Sequence, residues 1–327
     1  MKLLIGGSPC THWSIAQTKN RETEASGIGW ELFLNYRIAH DKYKPDFFLY
    51  ENNKSMSPAI RAQITAELGV EPVLINSALV SAQNRQRLYW VGKREPDGKS
   101  VTLCGNGGGV GAKTGLYAVP VPVNETVEGK AQCLRATYYK DGIRNMVGNT
   151  VDRKTCVAMP VGMAAGPKSI LVVTAAGKSV PVYEVRNGKI AIKGKEYPIK
   201  LADGFYIIRK LTVRECMRLQ TVPEEYVFPV SATQAYKMLG NGWTVDMIAH
   251  IMSHFTGLTA EPVEVLSMYD GMSCGHIALD KLGAEITAYY ATEIDKYAIQ
   301  TTQHNYPDTV QLGDAFQVRN DNWREEL

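Results

Sequence analysis

Met1-Lys2-Leu3-Leu4-Ile5-Gly6-Gly7-Ser8-Pro9-Cys10 opens the chain. Leu3, Leu4 and Ile5 belong to an apolar run of strand length, and two glycines end it before a proline-stiffened turn that delivers a cysteine. Glycine takes backbone angles closed to other residues, so Gly6 and Gly7 are expected to shape that turn. A thiol so placed is a candidate nucleophile; the plainer alternative is a small cysteine buried behind a strand.

Working outward, Phe47-Phe48-Leu49-Tyr50-Glu51-Asn52-Asn53 reads as a second buried strand that carries a carboxylate out at its C-terminal end. Open α/β sheets bind ligands outside the carboxyl ends of their strands. Residues 28–43 show helical apolar spacing in Ile28, Leu32, Leu34, Tyr36 and Ile38, and Pro45 ends that helix. A further helix at 57–68 leads to a strand at 72–76. Strand, helix, strand, helix, strand implies parallel crossovers and hence a doubly wound α/β sheet. Next, Gln83-Asn84-Arg85-Gln86-Arg87 sets two guanidinium groups on one side of an extended segment, which continues as a strand through Leu88-Tyr89-Trp90-Val91.

The 327 residues suffice for one large or two modest domains with a real core, and 45% hydrophobic and 21% charged residues are ordinary globular values. No apolar run approaches the roughly 20 residues that span a bilayer, and Met1-Lys2-Leu3-Leu4 leads into a motif rather than a signal peptide, so a cytoplasmic protein is expected. Six cysteines, Cys10, Cys104, Cys133, Cys156, Cys216 and Cys274, form no C-x-x-C pair. Neither a metal site nor a disulfide framework is indicated. Net charge is only +3, so any polyanion-binding surface must come from clustering.

Clusters do occur. Tyr183-Glu184-Val185-Arg186, Asn187-Gly188 and Lys189-Ile190-Ala191-Ile192 read as a hairpin on the turn preferred between antiparallel strands. From Tyr183 to Lys200, Arg186, Lys189, Lys193, Lys195 and Lys200 stand against only Glu184 and Glu196. Cys133-Leu134-Arg135-Ala136-Thr137-Tyr138-Tyr139-Lys140, with Arg144 beyond, mixes cations with tyrosines. The glycine-rich run at 105–114 is not a phosphate loop, because Ala112 stands where that motif needs glycine before Lys113-Thr114.

Further on, Thr212 and Glu215 form a capping box at the head of a helix closed by Pro223. Gly240-Asn241-Gly242-Trp243 precedes a helix with Val245, Ile248, Ile251, Met252 and Phe255 on one apolar stripe. After a short linker at 257–262, the strand at 263–269 runs into Asp270-Gly271-Met272-Ser273-Cys274-Gly275 and a helix. Such a turn lets the backbone approach a nucleoside, and the helix start favours an anion. Two more strands end in acids, Glu293 and Asp314; an acid at the first of these ends has the geometry to hold ribose hydroxyls.

Gly-Gly-Ser-Pro-Cys at 6–10, Glu-Asn-Asn at 51–53 and Gln-x-Arg-x-Arg at 83–87, in that order, resemble the catalytic motifs of the DNA cytosine-5 methyltransferases, closest to phage, bacterial and de novo-type members. The resemblance implies a Rossmann-like fold that uses S-adenosylmethionine to methylate C5 of a cytosine flipped out of duplex DNA. It implies that Cys10 attacks C6, that Glu51 binds and protonates N3, and that Arg87 contacts O2 and braces Glu51. Arg85 would neutralise phosphate or position the loop. Ser8, Thr11 and His12 would meet DNA, with Thr11 where the family has Gln; Asn53 stands where Val is common. Residues 209–220 resemble the block that packs the recognition domain onto the catalytic one, and 238–245 resemble the Gly-Asn block bordering the cofactor, which brings in Asn241, Gly242 and Trp243. The last three strands resemble the cofactor half. Tyr269 would lie along the adenine where the family has Phe, and Asp270, Gly271, Met272, Ser273, Cys274 and Gly275 would form the turn. Glu293 would hold the ribose beside Ile294, and Asp314 would meet the adenine amino group.

In the usual order that half precedes the Pro-Cys motif; here it follows everything else, so the chain reads as a circular permutation. The expected divisions are 1–91 (catalytic), 92–208 (β-rich target recognition, with Arg186, Lys189, Lys193 and Lys195 on DNA), 209–258 (anchor and return helix) and 259–327 (cofactor). The expected partner is double-stranded DNA, bound by a monomer without a metal. Alternatives are a tRNA cytosine-5 methyltransferase, a non-catalytic DNA-binding regulator on the same fold, and a variant methyl donor.

Overall fold

Leu3, Leu4 and Ile5 are all fully buried because β1 (Lys2–Gly6) lies in the middle of the main sheet with both faces covered. The computed structural model describes residues 1–14, 21–94, 100–102, 131–140, 142, 143, 147, 156–160, 171–173 and 179–326. The glycine-rich run at 105–114 and Arg144 lie outside them. After β1 come a 3-10 turn at Cys10–His12, α1 (Gly27–Tyr43), β2 (Phe47–Asn53), α2 (Pro58–Leu68), β3 (Val73–Asn76), β4 (Gln83–Asn84) and β5 (Gln86–Arg94). The central region holds β6 (Ser100–Thr102), β7 (Ala131–Gln132), β8 (Cys156–Pro160), β9 (Leu171–Val173), β10 (Ser179–Pro181), β11 (Tyr183–Arg186), β12 (Lys189–Ile192), β13 (Lys195–Pro198) and β14 (Gly204–Lys210). Then follow α3 (Val213–Leu219), α4 (Ala232–Asn241), α5 (Val245–Met252), β15 (Val263–Met268), α6 (Cys274–Leu282), β16 (Ile286–Thr292), α7 (Lys296–Asn305) and β17 (Val310–Gly313).

The main sheet runs β17-β16-β15-β1-β2-β5-β3, with β6 added on β5. Strands β17, β16, β15, β1 and β2 are mutually parallel. From β1 the chain steps one way, to β2; from β15 it steps the other way, to β16 and β17. Right-handed crossovers in opposite directions put their helices on opposite faces. Accordingly Leu4, Phe48, Tyr50 and Leu266 share a core with α1, α2 and the C-terminal residues Val318 and Trp323. Leu3, Ile5, Leu49 and Val265 share the other with α5, α6 and α7. The sheet is doubly wound, a Rossmann-like α/β fold.

Three local readings change on contact with the tertiary structure. β5 is inserted antiparallel between β2 and β3, so the neighbours in sequence are not the neighbours in the sheet. In α1 the buried face is Trp30, Phe33, Tyr36, Ala39, His40 and Tyr43, while Ile28 is 46% exposed; the aromatics, bulkier than the aliphatics, set the face. Neither Gly6 nor Gly7 has a positive φ. They are small for want of room: a Cβ on Gly6 would come 2.8 Å from Met268 O, and one on Gly7 2.9 Å from Glu51 O.

Other readings match. The stripe Val245, Ile248, Ile251, Met252 and Phe255 is buried. The Thr212–Glu215 capping box is formed in both directions. Asn187 and Gly188 both take positive φ, as a two-residue hairpin turn between right-twisted strands requires. That hairpin belongs to a second, antiparallel sheet ordered β13-β12-β11-β14-β8. The catalytic-side strand β5 runs on to Arg94 and pairs with β6 at 100–102, past the expected division at residue 91.

Candidate active site

Because five strands are parallel, their carboxyl ends share one edge of the sheet, where the loops after β1, β15, β16 and β17 and the end of β2 converge. A cavity of about 420 Å³ opens there. At one end it is lined by Gly7, Ser8, Pro9, Thr11, Glu51 and Arg87, and at the other by Tyr269, Gly271, Glu293, Ile294 and Asp314. Asn241, Gly242 and Trp243 form wall between the two.

Pro9 leads into the Cys10–His12 turn; the side chain of Cys10, and so the reading of its thiol, lies outside the described part of the structure. The turn is held from behind. Ser8 Oγ lies 2.6 Å from Tyr50 OH, and Asn52 Nδ2 donates to Ser8 O at 3.2 Å and to Tyr50 OH at 3.1 Å. Ser8 is therefore a buried strut whose hydroxyl is engaged inside the protein, at the wall of the cavity. Tyr50 and Asn52, which the sequence assigns no role of their own, alternate with Glu51, and that puts them on the face behind the turn. Thr11 is exposed, and His12 Nδ1 faces Glu22 Oε1 at 3.6 Å.

Glu51 is 9% exposed and both its oxygens are engaged. Arg87 Nε meets Oε1 at 2.9 Å and Trp243 Nε1 donates to Oε2 at 3.0 Å. Arg85 has a different fate from Arg87. Only 3% exposed, it donates to Leu134 O at 3.1 Å, Gly240 O at 3.3 Å and Gly242 O at 2.8 Å. Its guanidinium positions the loop at 133–134 and the Gly-Asn block while also lining the cavity. Cys133 Sγ sits 3.3 Å from Arg85 Nη1 and 3.9 Å from Arg87 Nη2. Burial pushes that thiol up, but the two guanidinium groups outweigh it and hold it below the usual thiol range.

At the other end, Tyr269 takes φ +62° and donates its hydroxyl to Leu32 O at 2.6 Å, tying the loop after β15 to α1. A phenylalanine there would supply the ring but not this tie. Gly271 has φ +61° with open space where a Cβ would sit, and its N–H donates to Glu293 Oε2 at 2.9 Å. Glu293 Oε1 also accepts from the N–H groups of Ile294 and Asp295 at 2.7 and 2.8 Å. The Asp270 carboxyl faces Ser267, Ser273 and Tyr289, and burial raises its pKa. Met272 and Cys274 are buried, Gly275 packs against Ile5, and Asp314 caps the next turn through Phe316 N–H at 3.0 Å. Ser273, itself buried, contacts Thr302 Oγ1 at 3.0 Å. Lys237 Nζ pairs with Asp295 Oδ2 at 2.6 Å on the rim, a contact that sequence reading did not foresee.

A family model described as C-5 cytosine-specific DNA methylase matches residues 1–256. The chain belongs to that family. It is a DNA cytosine-5 methyltransferase, and its relatives include type II enzymes. Type II methyltransferase M.FnuDI of Fusobacterium nucleatum is 25% identical over 279 residues, covering 75% of this chain and 73% of that protein. Orphan methyltransferase M.SPRI of Bacillus phage SPR is 33% identical over 103 residues, covering 28% and 23%. The crystal structure of S. pombe Dnmt2 methyltransferase aligns over 78% of each chain at 12% identity, with a TM-score of 0.38.

In this methylase the hairpin cations are partly neutralised. Arg186 pairs with Glu184 at 2.6 Å and Lys189 with Glu196 at 3.2 Å, all four side chains being largely exposed. Lys193 and Lys195 are exposed at and beside the next turn. No group of three or more potential metal ligands occurs among the described residues, and no described helix is long and apolar enough to cross a membrane.

Proposed function

We propose that this methylase transfers a methyl group from S-adenosylmethionine to C5 of a cytosine flipped out of duplex DNA, through a covalent bond between Cys10 and C6 of the base. One observation carries the reading: the Pro-Cys turn, Glu51 and Arg87 share a single cavity with Tyr269, Glu293 and Asp314. The residues at the second end fit a nucleoside. Gly271 leaves open space beside the backbone, Ile294 is 74% exposed at the rim, and Glu293 is fixed by three main-chain N–H groups while keeping acceptor capacity on Oε2 for a hydroxyl.

Glu293 would hold the ribose, Tyr269 and Ile294 the adenine faces, and Asp314 the adenine amino group. When bound there, S-adenosylmethionine supplies the electrophilic methyl that C5 takes up. The chain's own residues do the rest. Cytosine C5 is a poor nucleophile until a thiolate adds at C6, and the Cys10 sulfur makes that bond. Electron density moves toward N3, where Glu51 gives a proton, with Arg87 holding the carboxyl in place at the base edge. Loss of the C5 proton to water and return of the N3 proton to Glu51 then let the C6–S bond break, which releases Cys10 as thiolate and restores the aromatic ring, with S-adenosylhomocysteine as the other product. A duplex hides C5 and C6, so the base must leave the stack to reach the cavity.

The chain is read as circularly permuted. Support comes from the family match ending at residue 256 and from β15, β16 and β17 following it while β15 pairs with β1. Region 92–208 is taken as the target-recognition domain, with Thr11, His12, Arg186, Lys189, Lys193 and Lys195 toward DNA, and the enzyme as a monomer in the cytoplasm.

The test is transfer of labelled methyl from S-adenosylmethionine to mixed-sequence duplex DNA and to tRNA, beside Cys10→Ala. Label recovered as 5-methylcytosine from duplex DNA, and lost in the variant, is the expected result. Transfer to tRNA alone overturns the substrate, and equal transfer by Cys10→Ala overturns the covalent route.

A further inference from the structure

The indole of Trp243 joins two parts of the cavity that the sequence keeps 192 residues apart. Its N–H donates to Glu51 Oε2 at 3.0 Å. Just before it, Gly242 packs so closely against the head of α6 and the end of the loop after β15 that a Cβ there would come 3.1 Å from Cys274 Sγ and 3.6 Å from Met272 Sδ. Gly7 lies over the indole contact: a methyl at position 7 would come 3.1 Å from Glu51 Oε2 and 3.5 Å from Trp243 Nε1. The residue is thus held beside the donor loop by the packing of Gly242 and tied by its side chain to the carboxylate.

Resting on the methyl-transfer reading above, we propose that Trp243 is a positioning residue for Glu51, one that sets the carboxylate at the base edge in register with the donor loop. Arg87 Nε meets Oε1 and the indole N–H meets Oε2. With one oxygen held, the carboxylate turns about its terminal torsion, which is broad; with both held it has one orientation. A wall residue serving the donor alone would need the ring but not the N–H.

The N–H is therefore the atom to remove. Trp243→Phe keeps a ring against the donor end and is expected to lower kcat for methyl transfer about tenfold, in line with loss of a hydrogen bond to a charged group, while KM for S-adenosylmethionine stays within about twofold. Trp243→His, which restores an N–H, is expected to recover most of that loss. An unchanged kcat in Trp243→Phe, or a rise confined to the donor KM, overturns the proposal.

A second measurement does not depend on that variant folding or on the assigned reaction. With the five tryptophans labelled at the indole nitrogen, Glu51→Gln should shift the indole N–H resonance that disappears in Trp243→Phe, or, should that variant not fold, one resonance sensitive to S-adenosylmethionine. No shift on Glu51→Gln means that the contact does not exist in solution. Failure of wild-type methyl transfer with the resonance still moving would instead reject the reaction and keep the contact.

Discussion

Arg87 and Glu51 meet at 2.9 Å although they are not opposite each other in the sheet. The β2–β5 register pairs Glu51 with Tyr89 and Asn53 with Arg87, so the two charges are diagonal neighbours on one face. Long side chains bridge that diagonal. The ion pair therefore depends on β5 running antiparallel to β2, and a parallel pairing would have offered a different neighbour.

Arg87→Ala should leave a largely buried carboxylate with one fewer cation. The expected cost is about 3 kcal/mol of stability, together with at least about a hundredfold loss of methyl transfer. Arg87→Lys should recover little, since an ammonium cannot reproduce the guanidinium geometry. Denaturant unfolding and single-turnover assays check both numbers.

Arg85 is expected to behave as a structural residue. Arg85→Ala removes charge-assisted bonds to Leu134, Gly240 and Gly242 carbonyls and should lower unfolding free energy by about 3 kcal/mol. The slope of log affinity for DNA against log salt should stay unchanged, because those donors face main-chain carbonyls. A shallower slope in a folded Arg85 variant would contradict the buried placement.

On the hairpin the outcome is reversed. Lys193→Ala and Lys195→Ala should each reduce the salt slope of DNA binding by about one and leave stability within about 0.5 kcal/mol. Glu196→Gln, which frees Lys189 from its 3.2 Å partner, should tighten binding at low salt. Titrations at several salt concentrations separate these effects from folding.

His40 supplies a pH signature that has nothing to do with catalysis. Burial, then the nearby Arg37, pushes its pKa from 6.5 down to about 4, with Arg94 adding to the fall and Asp41 opposing it. The folded state keeps the ring neutral while the unfolded chain takes up a proton below 6.5. Stability from this group is therefore fully present above pH 6.5 and is lost as pH falls toward 4. Between pH 7.5 and 5 the loss should be about 2 kcal/mol, and His40→Leu should lack it. Urea unfolding at the two pH values is the check.

Local chemistry was legible in the chain. The apolar run ending at Gly6-Gly7-Ser8-Pro9, the Asn187-Gly188 turn, the Thr212–Glu215 capping box and the stripe on α5 each depend on residues within a turn or two of one another. The order of strands and helices likewise implied a doubly wound sheet, since crossover handedness leaves few other arrangements.

What the sequence could not decide was partnership across distance. Arg85 and Arg87 share one motif, yet one faces main-chain carbonyls and the other faces Glu51, because only the packing of the 133–134 loop and α4 distinguishes their surroundings. Ser8 and Thr11 flank the same turn, and only the hydroxyl of Tyr50 and the amide of Asn52 make Ser8 internal. Trp243 looked like part of a cofactor wall, and its bond to Glu51 exists because β2 and the α4–α5 corner end at the same edge of the sheet. The sequence by itself determined the elements and the edge at which the chemistry gathers; the tertiary structure alone decided which side chains face the cavity and which are used up holding it, because strand order and loop packing set those distances.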